Sequence, residues 1–168
     1  MGNRAYVVFE NGKNRSPAIY LQWNGGPESI YAFLQALKDY GADQHSPEYS
    51  CARFVQLVGN YLGGTLSLGI VPFREYGQLA EDDNGLYVVT PSGVRRMIGV
   101  PGGEPGAQQF AETWSLDLRW LTQEEIEAEY RQALQHHYWN PEPGHTALLD
   151  DIHAANDRFF MTNAGRRA

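Results

Sequence analysis

Ala18-Ile19-Tyr20-Leu21-Gln22-Trp23-Asn24-Gly25-Gly26-Pro27-Glu28-Ser29-Ile30 is the stretch in which the chain passes from one regular structure into another. It begins as a run of apolar and aromatic residues too short for a helix, which suits a strand. It ends as the start of a helix. Pro27 is tolerated at a first helical position, where no N–H is needed, and Ile30, Phe33, Leu34 and Leu37 recur at helical spacing. Between the two, Asn24-Gly25-Gly26 lets the backbone turn at little steric cost.

Upstream, Ala5-Tyr6-Val7-Val8-Phe9 reads as another strand, and Asn11-Gly12 lies in the polar loop that ends at Pro17. The two strands are expected to form an antiparallel hairpin. Downstream, Ser46-Pro47-Glu48 starts a second helix, with Ser46 as cap and Cys51, Phe54, Val55, Val58, Tyr61 and Leu62 as its buried stripe. Thr65 to Val71 alternates small polar with apolar residues and reads as a strand, whereas residues 73–81 suit a loop or a short helix. Asp83-Asn84-Gly85 is a turn into Leu86–Val89, and Pro91-Ser92-Gly93 turns that strand toward Val94–Val100 as a second hairpin.

Residues 101–109 are rich in proline and glycine and read as a mobile surface loop. Thr122 and Glu125 have the spacing of a capping box for a third helix with Ile126, Tyr130, Ala133 and Leu134 on its apolar stripe. A fourth helix, from about Thr146, uses Leu148, Leu149, Ile152, Ala155 and Phe159, and residues 163–168 form a frayed tail. Strands and helices do not alternate regularly. The expectation is one α+β domain over residues 1–168, a mainly antiparallel sheet of about five strands packed against about four helices.

With 168 residues, 42% hydrophobic and 20% charged, the chain suits a single globular domain rather than a disordered one. A single cysteine excludes an intramolecular disulfide, and the first ten residues lack the pattern of a signal peptide. No apolar run reaches the roughly 20 residues needed to cross a bilayer. A cytoplasmic, non-membrane protein is expected. The net charge of −7 is uneven: residues 1–80 carry six basic and six acidic side chains, residues 81–168 seven and fourteen. Direct nucleic-acid binding is therefore not indicated, while an acidic half suits either a basic partner or a solubilising face.

Among candidate sites, Trp23, Asn24, Gly25 and Gly26 lead. A helix N-terminus attracts anions, Asn24 adds a donor and an acceptor, and Trp23 an apolar wall. The lysine and the spacing of a phosphate-binding P-loop are missing, and glycines at such a turn also have a purely structural use. His136, His137, His145 and His153 match no zinc spacing, so no metal and no cofactor are expected. Cys51 lies on an apolar stripe and reads as core. The pairs Asp82-Asp83, Glu124-Glu125 and Asp150-Asp151 sit at turns or helix starts, where solvated acids are common. Asp82, Asp83, Glu124 and Glu127 are candidates for partner contact. Of Arg95 and Arg96, one should face the core side or an interface.

Asn3-Arg4-Ala5, Ile19-Tyr20-Leu21-Gln22-Trp23-Asn24-Gly25-Gly26, Ala52-Arg53 through Gly59-Asn60, Gly63 to Gly69 and Asp83-Asn84-Gly85-Leu86-Tyr87 together resemble a family of small proteins of phages, plasmids and other mobile elements. The likeness covers roughly residues 3–90 and carries over no catalytic residue. It implies a counter-defence role, anti-CRISPR or antirestriction, exercised by stoichiometric binding. Two readings follow: a non-catalytic binding protein whose acidic and aromatic surface occludes a macromolecular protein partner, or a small enzyme or nucleotide- or anion-binding module built on the 23–27 junction.

Overall fold

The computed structural model describes residues 3–43, 46–63, 67–80, 83–101, 116–135 and 147–160. Among them the chain runs β1 (Ala5–Asn11), β2 (Asn14–Arg15), β3 (Ala18–Leu21), α1 (Pro27–Asp39), α2 (Pro47–Tyr61), β4 (Leu68–Val71), α3 (Tyr76–Leu79), β5 (Leu86–Thr90), β6 (Gly93–Pro101), β7 (Leu116–Trp120), α4 (Gln123–Ala133) and α5 (Leu148–Phe160). The strands form one mixed sheet in the order β4-β3-β1-β5-β6-β7, with β2 paired to the end of β1. Beyond Pro101, the loop expected up to residue 109 lies outside the described residues, as does the tail expected at 163–168.

The expected hairpin is present: β1 pairs antiparallel with β3, Tyr6 opposite Tyr20 and Val7 opposite Ile19. So is the second, with Tyr87 opposite Arg96 and Val88 opposite Arg95. Every pairing is antiparallel except that of β1 with β5, which run parallel. Three strands and three helices, β2 through α3, intervene between β1 and β5, and a parallel pair requires a long crossover of this kind.

The fold is α+β as expected, but the sheet is larger: seven strands and five helices among the described residues, against five and four. The additions have few local signals. Both residues of β2 are exposed, and it exists because the turn at Gly12 brings Asn14 opposite Asn11. β7 reads Leu-Asp-Leu-Arg-Trp, a short alternation made into a strand by its pairing with β6. α3 is a single turn.

β1 is apolar on consecutive positions because both faces of the central strand are covered. On one face Ala5, Val7 and Phe9 join Ile19, Leu21, Tyr87 and the buried stripes of α1 and α2. On the other, Val8, Ala18, Leu86, Val88 and Met97 lie under Leu79 and Ala80, with Phe73, Tyr76 and Trp120 packed against them. The caps are as expected. Ser46 Oγ accepts from Tyr49 N at 3.3 Å, and Thr122 and Glu125 close a reciprocal box. α5 differs in its buried stripe, which runs through Leu149, Ile152 and Asn156, while Phe159 is exposed and Phe160 stacks on Tyr40. Asn156 is fully buried because its amide is used throughout: it donates to the carbonyls of Leu57 and Ile152 and accepts from Asn60.

Buried phenols give the fold an alkaline limit. Burial pushes the hydroxyls of Tyr31, Tyr61 and Tyr87 up, that of Tyr31 further through the Glu129 carboxylate. A group whose folded pKa exceeds its unfolded value stabilises fully below the unfolded value, about 10 for tyrosine, and loses that contribution as pH rises beyond it. The urea midpoint should therefore stay flat from about pH 8 to 9.5 and fall above about pH 10. Tyr31→Phe should fall less steeply. Equal slopes would show that Tyr31 does not contribute.

Candidate functional site

Three segments far apart in sequence, residues 3–5, 19–26 and 83–87, meet at one end of the sheet, where β1 and β5 begin and β3 ends. Asn3 N donates to Gln22 O at 3.2 Å, and Asn3 O accepts from Gly25 N at 2.8 Å. Asn84 N donates to Arg4 O at 2.9 Å, and Asn84 Nδ2 donates to Asn3 Oδ1. Tyr87 closes the knot, its hydroxyl donating to Gly25 O at 3.1 Å across 62 residues of sequence. Trp23, Asn24, Gly25, Gly26 and Asp83 are thus brought into one neighbourhood.

Within it the roles differ. Gly25 is buried, and a Cβ there would lie 2.6 Å from Asn3 O and 2.7 Å from Ala5 N, so close backbone approach requires glycine. Asn24 has φ 59° and its amide reaches Ser29 Oγ at 3.4 Å. Trp23 is 45% exposed. At the start of α1, Pro27 has no N–H, and Ser29 N and Ile30 N both donate to Gly26 O. The Glu28 carboxylate folds back so far that a Cβ on Gly26 would meet its Oε1 at 2.4 Å. A carboxylate of the chain itself thus occupies the favourable field of the helix N-terminus. Asp83 is held by Arg4, with Nη2–Oδ1 3.1 Å and Nε–Oδ2 3.2 Å, and this pairing keeps its carboxyl below the usual range. Asp82 lies outside the described residues.

The left-handed backbone at Asn24 yields a direct test. Asn24→Ala should cost about 1 kcal/mol, because alanine lacks the short polar side chain through which asparagine tolerates the left-handed region. Asn24→Gly should cost about 0.5 kcal/mol or less, since glycine adopts the same φ freely. Urea denaturation of the two variants separates these outcomes.

Arg96, opposite Tyr87 on the helix-covered face, extends the knot inward. Its side chain is 6% exposed and pairs with Glu129 of α4, donates to Asn84 O from Nη2 at 3.1 Å, and lies 4.7 Å over the Tyr87 ring. Arg95 points to the other face, 4.7 Å over Trp120 and 3.5 Å from Glu10 Oε1. Glu10 also binds Arg15, which lies over Phe73 and Tyr76. The expectation that one of the two arginines turns inward holds, and both carboxylate partners are internal. The sequence offered alternation in β6 as the signal for Arg96, but nothing marked Glu129 as its partner.

The Tyr31 ring stands edge-on to Tyr87 at 6.3 Å and to Tyr130 at 5.4 Å. This row leads to a half-open cleft of about 730 Å³ between α1, α4 and the β5–β6 turn. Leu34, Leu37, Val89, Val94 and Ile126 supply its apolar wall, and Lys38, Asp43, Gln123 and Glu127 its polar positions. Glu127 is therefore at the cleft. Glu124 is exposed on the same helix, where Glu125 pairs with Arg119, whose hydrogen bonds hold the Glu125 carboxyl down to about 2. The cleft joins residues from three elements; the sequence pattern had offered Glu127 for partner contact and placed Leu34, Leu37, Ile126 and Tyr130 on apolar stripes, with nothing to bring them together.

Cys51 is buried, and burial pushes its thiol up, away from a reactive thiolate. His153 Nε2 lies 3.1 Å from Asp39 Oδ2, while His136, His137 and His145 lie outside the described residues. Among the described residues no group of three His, Cys, Asp or Glu is placed to hold a metal, and no helix is long and apolar enough to cross a membrane. No protein-family model, curated protein or solved structure matches the chain.

Proposed function

We propose that this chain is a non-catalytic cytoplasmic binding protein of mobile-element origin, and that it inhibits a nucleic-acid-binding defence complex by presenting an acidic helix layer to it. The sorting of charge by layer supports this reading. The four long helices, which share one face of the sheet, carry Glu28, Asp39, Glu48, Glu124, Glu125, Glu127, Glu129, Asp150, Asp151 and Asp157. Against these ten acids they carry only Lys38, Arg53, Arg131 and Arg158. On the opposite face Arg15 and Arg95 are half-exposed, stacked on aromatic rings. Such a two-sided distribution orients the molecule in the field of a basic groove before contact, and it speeds association more than it adds affinity.

Size-exclusion chromatography of the purified chain with CRISPR effector complexes and restriction enzymes tests the reading. Stoichiometric co-elution is expected at low salt and should weaken as the Debye length shrinks from about 10 Å at 0.1 M to about 3 Å at 1 M. Joint Glu124→Lys, Asp150→Lys and Asp151→Lys substitution should abolish it, while Lys13→Glu and Arg74→Glu should not. Absence of salt-sensitive co-elution with every such complex would remove the proposal.

A further inference from the structure

We infer that the cleft between α1, α4 and the β5–β6 turn is a peptide-binding groove, taking a short partner segment with an apolar side chain next to a lysine or arginine. The inference rests on the binding-protein reading above and adds the place and chemistry of contact.

The cleft has the size and character of a binding site. Its volume of about 730 Å³ lies within the roughly 300–1,000 Å³ of pockets that receive drug-sized groups. A single apolar side chain does not fill that space, whereas a few consecutive residues do. The wall is built from aliphatic groups of three elements, among them Leu34, Val94 and Ile126. Tyr130, 37% exposed, offers a ring at the entrance, of the kind that dominates contact energy at protein interfaces.

Charge selects the occupant. Asp43, beyond the end of α1, and Glu127, on α4, both line the cleft, are both exposed, and come from separate elements. Lys38 is the single cation among the lining residues. A segment bearing a cation beside its apolar anchor gains at both carboxylates, whereas an acidic segment meets like charge at both. An amphipathic segment laid between two helices is an established recognition mode, in which pockets read the anchor and rim charges read its neighbours.

The test uses synthetic peptides on the full-length protein. One set carries Leu or Phe flanked by Lys and Arg, and a control set carries the same anchor flanked by Glu. Binding is followed by backbone amide shifts in NMR titrations. The basic set should shift the amides of Leu34, Val94, Ile126 and Glu127, and Glu127→Lys should weaken binding about fivefold, the size of one exposed charge contact. Val94→Gln should weaken it further with the fold kept, as checked by circular dichroism. If that variant unfolds, the Glu127→Lys result and the salt dependence decide. Shifts scattered over the helix layer, equal binding of the acidic set, or no binding by either would overturn the groove. The broader reading is judged separately: co-elution with a defence complex that survives Glu127→Lys and Val94→Gln would keep the acidic layer and discard the groove. Peptide binding without such co-elution would do the reverse.

Discussion

Gly85→Ala should lose more than about 4 kcal/mol of stability and give little soluble folded protein at 37 °C, a cost reserved for a few severe mechanisms. Two of them combine here. Gly85 has φ +67°, where an added Cβ costs about 1–2 kcal/mol by itself. That Cβ would also lie 2.1 Å from Met97 O and 3.1 Å from Ile98 Cα, both in the backbone of β6. No side-chain rotation relieves a clash with backbone atoms, so β5 and β6 must separate where Leu86 pairs with Met97 and Tyr87 with Arg96. The Gly85 carbonyl also receives Tyr6 N at 3.0 Å, so the shift would spread to β1. Gly12→Ala isolates the clash. Gly12 has φ +61°, and a Cβ there would meet nothing within 4 Å, so the change should cost only the backbone penalty of about 1–2 kcal/mol. Equal losses for the two variants in urea denaturation would show that β6 yields without cost.

Arg96→Ala should destabilise the protein by about 3–5 kcal/mol, the usual result of leaving one partner of a buried ion pair uncompensated. The arginine is 6% exposed, and its loss removes the bond to Asn84 O, the stack on Tyr87 and the charge opposite Glu129. Glu129 is 25% exposed and its Oε2 is buried with no hydrogen-bond partner among the described residues, so it depends heavily on Arg96. Glu129→Ala should cost a similar amount, about 3–5 kcal/mol, because it strands the buried Arg96 guanidinium, which cannot shed its charge. The double variant Arg96→Met with Glu129→Leu should regain most of the loss, since apolar groups of similar volume carry no desolvation penalty. A double-mutant cycle in chemical denaturation measures the coupling. A cycle that closes on simple additivity would mean that the pair does not couple β6 to α4.

Much of the local structure was legible because its causes lie within a few residues. Pro27 at a first helical position, Ser46 and Thr122 as caps, and the stripe of Cys51, Phe54 and Val58 each depend on neighbours less than two turns away. Features without a strong local pattern of their own were not legible. β7 owes its state to β6, and Asn156 sits in the α5 stripe only because Asn60 and Leu57 O satisfy its amide. The acids illustrate the same divide. Counted along the chain they fill its second half, yet Asp39 and Glu48 of the first half lie in the same helix layer as Glu124 and Asp150.

The Trp23-to-Pro27 junction shows the boundary between the two kinds of information. By itself the sequence determined that a strand ends there, that the backbone turns, and that a helix follows, because φ limits, a missing N–H and helical spacing are properties of adjacent residues. Only the tertiary structure decided why Gly25 must be glycine, since the obstructing atoms belong to Asn3 and Ala5, and why Tyr87 matters to it, since the bond between them spans 62 residues. It also decided that β5 returns parallel to β1 and that α1, α4 and the β5–β6 turn enclose a cleft. Contacts of this kind depend on chain topology, and topology is set by the joint burial of surfaces that no local spacing records.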